Sequence, residues 1–155
     1  MAIEAEEAER TALARRFGLV AIDRLAANGA LVRNGGDVTA TGRIAAAVTQ
    51  SCVATGEPVE AVVDEAFELL FRPTPAPDGP EAEVELSENE LDLTFYDGAA
   101  IDLGEAVAET LALSLDPYPR TPGAEEALKA AGVKSEEEAG PFGALAGLRD
   151  KLKKD

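Results

Sequence analysis

The sequence predicts an α+β fold: an antiparallel β-meander of three to five strands, packed with a central helix and flanked by N- and C-terminal helices. Two observations carry this. Residues 38–49 and 59–72 each alternate apolar and polar side chains with a period of two, the pattern of half-buried strands, and only a short loop separates them. Residues 103–115 instead place Leu103, Val107, Leu111 and Leu115 four apart, with Ala108 and Ala112 widening the stripe to the face of a packed helix. At 155 residues and 46% hydrophobic, the chain is expected to form a single domain over 1–155 with a real core.

The elements follow in order. Residues 3–16 read as an amphipathic helix with Ile3, Ala8, Leu13 and Phe17 inward, stopped by Gly18. Leu19 to Leu25 is a strand, continued by residues 30–33 past a break at Asn28-Gly29. Asn34-Gly35-Gly36 is a hairpin turn. The next strand puts Val38, Ala40, Gly42, Ile44, Ala46 and Val48 on one face and Thr39, Thr41, Arg43 and Thr49 on the other. A loop from Cys52 to Pro58 reverses the chain into the strand of Val59, Ala61, Val63, Phe67, Leu69 and Phe71, in which only Glu65 breaks the inner face.

A Pro- and Glu-rich linker is expected at about 73–89, then a short strand of Leu91, Leu93 and Phe95 ending at Asp97-Gly98. The central helix has an explicit start. Asp102 and Glu105 have the spacing of a capping box, and Ile101 can staple onto Ala106. Pro117, Pro119 and Pro122 end it. Residues 123–131 form a short helix ending at Gly132, and Pro141 opens a last helix with Leu145, Leu148 and Leu152 on one face.

The charge is unevenly placed. The net charge of -16 lies wholly in residues 57–116, where seventeen acids face Arg72 alone. Such a middle repels phosphate backbones and attracts basic partners. Its bland reading is a solvated face, the usual one for a charge run. No stretch is apolar enough for a membrane span, and the acidic start MAIEAEEAER resembles neither a secretory signal nor a presequence, so a cytoplasmic protein that contacts neither membrane nor DNA is expected.

The chain has no histidine and one cysteine, which removes Ser-His-Asp and Cys-His catalysis and an intramolecular disulfide. The carboxylates Glu81, Glu83, Glu85, Glu88, Glu90 and Asp92 lack a cation-loop spacing and an apolar frame that would set one pKa apart, and read as solvated linker. No catalytic residue, metal or cofactor is assigned. The Pro-Tyr-Pro-Arg exit of the central helix offers Tyr118 and Arg120, residue types common at interface hot spots. The helix acids Asp102, Glu105 and Glu109 join them as candidate partner-binding residues.

The segment IDLGEAVAETLALSLDPYP resembles the signature of the YceD family of large-ribosomal-RNA accumulation proteins, through Ile101, Asp102, Leu103, Pro117 and Pro119. Two further stretches resemble family motifs in the right order. One is the loop with Cys52, Thr55 and Pro58, like the family's C-x-x-C-x-x-P; the other is the Pro141-Phe142 tail, like its P-F-x-x-L-x-x-L. The resemblance covers roughly residues 15–153 and lacks the family's short segment before the first helix, which predicts a lost edge strand. It implies a zinc knuckle at the loop in relatives, but here Thr55 replaces the second cysteine, and a lone thiolate cannot supply about four zinc ligands.

The resemblance further implies a non-enzymatic bacterial factor for 23S rRNA accumulation, through synthesis, processing or stability. An acidic protein can serve that role by binding a basic ribosomal protein or an assembly intermediate. The alternatives are direct rRNA binding through Arg10, Arg15 and Arg16 or through Lys151, Lys153 and Lys154, and a metal-dependent processing nuclease.

Overall fold

The computed structural model describes residues 1–75, 92–97 and 99–133. The elements run β1 (Ala2–Glu4), α1 (Glu7–Phe17), β2 (Ala21–Asn34), β3 (Asp37–Ser51), β4 (Pro58–Pro73), β5 (Leu93–Tyr96), α2 (Leu103–Ser114) and α3 (Ala124–Ala130). The fold is α+β. One sheet has the order β1-β2-β3-β4-β5; β1 to β4 form an antiparallel meander, and β5 joins β4 in parallel. A parallel partner needs a long crossover, and the linker expected at about 73–89 lies, from residue 76 on, outside the described residues.

The three central strands are 14, 15 and 16 residues long, about 50 Å each at the usual rise. Their inner face carries Ala40, Ile44, Ala46 and Val48 from β3 and Val63, Phe67, Leu69 and Phe71 from β4, all buried. Ala14 of α1 and Ala106, Val107 and Leu111 of α2 complete the same core, so both helices lie on one side of the sheet. Among the described residues nothing covers the opposite side. Val62 and Val32 stand 82% and 61% exposed there, and Arg43 crosses to Asp64 at 2.8 Å.

Four features depart from the sequence expectation. Ile3 lies in an edge strand, not in the first helix. Residues 2–4 pair with 26–28, and the Met1 ammonium donates to the Gly29 carbonyl at 2.6 Å. The edge strand expected to be lost is therefore present. Helix α1 starts later, at Glu7, with the Glu6 amide donating to Glu9 at 2.7 Å.

Strand β2 is continuous through Asn28-Gly29. Its irregularity is a bulge between Ile22 and Arg24, which lets Ile22 and, after the parity switch, Leu25 and Ala27 all face inward. At the central helix Asp102 accepts from the Glu105 amide at 2.9 Å, but Glu105 does not complete the box, because Arg16 engages its carboxylate. Finally, strand β5 is parallel to its neighbour, and Leu91 lies outside the described residues.

The uninterrupted pairing past Asn28-Gly29 has a steric reason. Gly29 and Gly42 are paired across β2 and β3. A Cβ on Gly29 would strike the Thr41 carbonyl, and one on Gly42 would strike the Asn28 carbonyl and come within 2.9 Å of the Phe67 ring. Glycine here marks a close backbone approach rather than a chain break. Gly42→Ala should therefore lower stability by roughly 1–3 kcal/mol, the cost of overpacking a fitted core. Urea unfolding checks this, and an unchanged midpoint would refute the close-approach account.

Candidate functional site

Two family-like motifs that are 60 residues apart in the chain meet at one end of α2. The turn after β3 is closed by its own backbone: the Cys52 amide donates to Glu57 at 2.7 Å and the Gly56 amide to Cys52 at 2.8 Å. The proline exit then docks on it. Val53 donates its amide to the Pro119 carbonyl at 2.9 Å, and Gln50 Nε2 donates to the Asp116 carbonyl at 2.9 Å. Thr121 approaches Cys52 Sγ through its amide at 3.4 Å and its hydroxyl at 3.7 Å, and its hydroxyl also donates to Glu57 at 3.3 Å.

Sγ is only 3% exposed as part of Cys52. The Thr55 hydroxyl comes first among the groups that favour its thiolate, followed by the Thr121 amide and the turn amides, while burial opposes them; the thiol is lowered to about 6. Thr55 also closes the turn: its hydroxyl donates to the Glu57 carboxylate at 3.1 Å and accepts from the Glu57 amide at 3.3 Å. Among the described residues no group of three His, Cys, Asp or Glu side chains could hold a metal ion.

The other end of α2 is acidic. A groove of about 580 Å³ lies between α1, the edge of the sheet and the start of α2. Leu13, Leu25, Ala27 and Val107 line it with apolar surface, and its ionisable side chains are Glu4, Glu9, Asp102 and Glu105. A second groove of about 390 Å³ runs between α2 and β5, with Asp97, Asp102, Glu105 and Glu109 as its carboxylates. Among the described residues, every charged side chain that lines either groove is an acid.

Arg16 answers one of them. Its guanidinium makes two bonds to Glu105, at 2.6 and 2.7 Å, tying α1 to α2. Those bonds hold the Glu105 carboxyl below its ordinary value against the opposing effect of burial, and raise Arg16. Both partners are nearly half exposed, so the pair orients the helices more than it stabilises them.

The proposed partner-binding residues therefore divide into two groups. Asp102, Glu105 and Glu109 sit on the first turns of α2, whereas Tyr118 and Arg120 lie beyond its last turn, about 18 Å away along a twelve-residue helix. Tyr118 is 70% exposed and Arg120 is exposed. Ile101 and Leu103 pack half-buried against the core, Pro119 is buried, and Pro117 and Pro58 are exposed. Pro141 and Phe142, with the last helix, lie outside the described residues.

Sequence reasoning missed Gln50 and Thr121, and it read Arg16 as a nucleic-acid candidate where the structure pairs it with Glu105. Gln50 did leave a signal: it is a polar residue in phase with the apolar face of β3, and it is buried. A buried amide in that register needs a partner, and Asp116 provides it. Thr121 left none, since it acts across the fold.

Two outcomes follow. Gln50→Ala leaves the Asp116 carbonyl without its donor and should cost roughly 1–2 kcal/mol by thermal or urea unfolding. The second is pH dependence. A thiol whose folded value lies below its unfolded one adds stability above the unfolded value of about 8.5, and loses it as pH falls through the folded value of about 6. The stability of the native chain relative to Cys52→Ala should therefore rise from pH 6 to pH 9, and a flat difference would contradict the hydrogen-bonded thiolate.

The family model described as Large ribosomal RNA subunit accumulation protein YceD matches residues 40–149. No curated protein and no solved structure matches the chain. The matched span starts in β3 and includes the Cys52 turn, β4, α2 and the docked proline exit. It is more than half of the chain, and its two motifs meet in space as one built unit, so this chain belongs to the YceD family of large ribosomal RNA subunit accumulation proteins.

Proposed function

We propose that this chain is a non-enzymatic ribosome-biogenesis factor. It supports accumulation of large-subunit 23S rRNA in the bacterial cytoplasm by binding a basic ribosomal protein or an assembly intermediate through its acidic middle. The observation that carries the role is the family match over residues 40–149. The physical support for the partner's chemistry is the pair of grooves beside α2, whose charged lining among the described residues consists of carboxylates. Such a surface disfavours phosphate and favours ammonium and guanidinium groups. Of the three arginines proposed for direct RNA binding, one has its charge answered by a carboxylate. Arg16 is held by Glu105, and Arg10 donates to the Ala5 carbonyl at 2.6 Å.

Loss of the protein should lower 23S relative to 16S rRNA, and affinity capture of the tagged chain should recover ribosomal proteins or a large-subunit intermediate. The captured material should survive nuclease treatment. Recovery of protein-free 23S rRNA, lost on replacing Lys151, Lys153 and Lys154, would overturn this reading in favour of direct RNA contact.

A further inference from the structure

We infer that the groove between α1 and the start of α2 is the docking surface, and that its occupant is a basic protein segment presenting an apolar anchor between lysines or arginines. This rests on the reading above and assigns it a place. Size is the first argument: about 580 Å³ with an apolar floor accommodates one or two aliphatic side chains. Charge complementarity is the second. Among the described residues, four carboxylates line the groove and no lysine or arginine does. Arg16 neutralises only Glu105, while Glu9 accepts from the neutral Glu6 amide and Asp102 from the neutral Glu105 amide. Those bonds fix both carboxylates in place without cancelling their charge.

A preformed acidic rim around an apolar floor recognises an amphipathic cationic stretch, in which the anchor supplies burial and the flanking cations supply orientation and on-rate. The same rim rejects a nucleic acid strand. The groove on the other side of α2 shares Asp102 and Glu105, so a bound segment is held by a field that spans both flanks of the helix.

The test uses the full chain and a labelled synthetic peptide of lysine and leucine with leucines three and four apart, read by fluorescence anisotropy. Ala12 lines the groove from α1 and is exposed, so Ala12→Arg fills the groove and places a like charge in it without disturbing the core. It should weaken peptide binding at least about tenfold. Glu4→Gln/Asp102→Asn, which keeps the helix cap, should weaken it and flatten its salt dependence. Val62→Arg, on the uncovered sheet face, should leave it unchanged.

Three results would overturn the inference. The first is peptide binding that Ala12→Arg and Val62→Arg affect equally. The second is a concentration-dependent dimer dissociated by Ala12→Arg, which would make a second copy the occupant. The third is capture of ribosomal material by Ala12→Arg at the native level, which removes the groove while leaving the proposed function standing. Failure of the native chain to capture such material, with peptide binding intact, removes the function and leaves the groove.

Discussion

The structure depends on burying one face of a long sheet. β3 and β4 pair through fourteen registered residues, and their inward side chains are useful only if something covers them. Helix α2 does so. Leu111 and Ile44 are fully buried, and Phe71 and Val48 nearly so. At roughly 25 cal/mol per Å² of apolar surface, a few such side chains outweigh any single ion pair on this protein. Both candidate surfaces are hung from α2: the acidic grooves flank its start, and the proline exit leaves its end. The Cys52 turn then grips that exit, so the helix is held at both termini.

The two grips differ in kind. At the start, Arg16 and Glu105 form a solvent-exposed pair that is screened by salt. At the end, Gln50, Val53 and Thr121 make short-range bonds to backbone and sulfur, partly buried and indifferent to salt. The C-terminal end is therefore the fixed anchor and the N-terminal end the more compliant one. That polarity suits a helix whose acidic start meets a charged partner, because the floor of the groove can adjust without loosening the core.

Much of this was legible in the residues. The alternation of β3 and β4, the stripe and cap of α2 and the stop at Gly18 all follow from local chemistry, and the structure agrees. What escaped was set by partners distant in sequence. Ile3 fits a helical face and a strand equally well; pairing with Ala27 decides it. Gly29 looks like a break until Gly42 is opposite it. Glu105 has the right spacing for a capping box, and Arg16, from α1, outcompetes the local amide. The parallel setting of β5 rests on the crossover, whose length the sequence displays but whose direction it does not. In the candidate site, the residue types were visible and their division between two ends of a helix was not.

The meander also has a temporal side. Strands β1 to β4 occupy residues 2–73 and pair mostly with their immediate neighbours, so they can zip as soon as they leave the ribosome. Leu111, which closes their inner face, is synthesised some forty residues later than Phe71. At roughly 5–20 residues per second, that leaves a bare apolar sheet for a period on the order of seconds. Eleven of the seventeen acids of residues 57–116 lie between Phe71 and Leu111 and are made during that same interval. Their mutual repulsion disfavours contact between neighbouring nascent chains while the sheet waits for its lid, so the charge proposed for recognition in the finished protein also acts on the unfinished one.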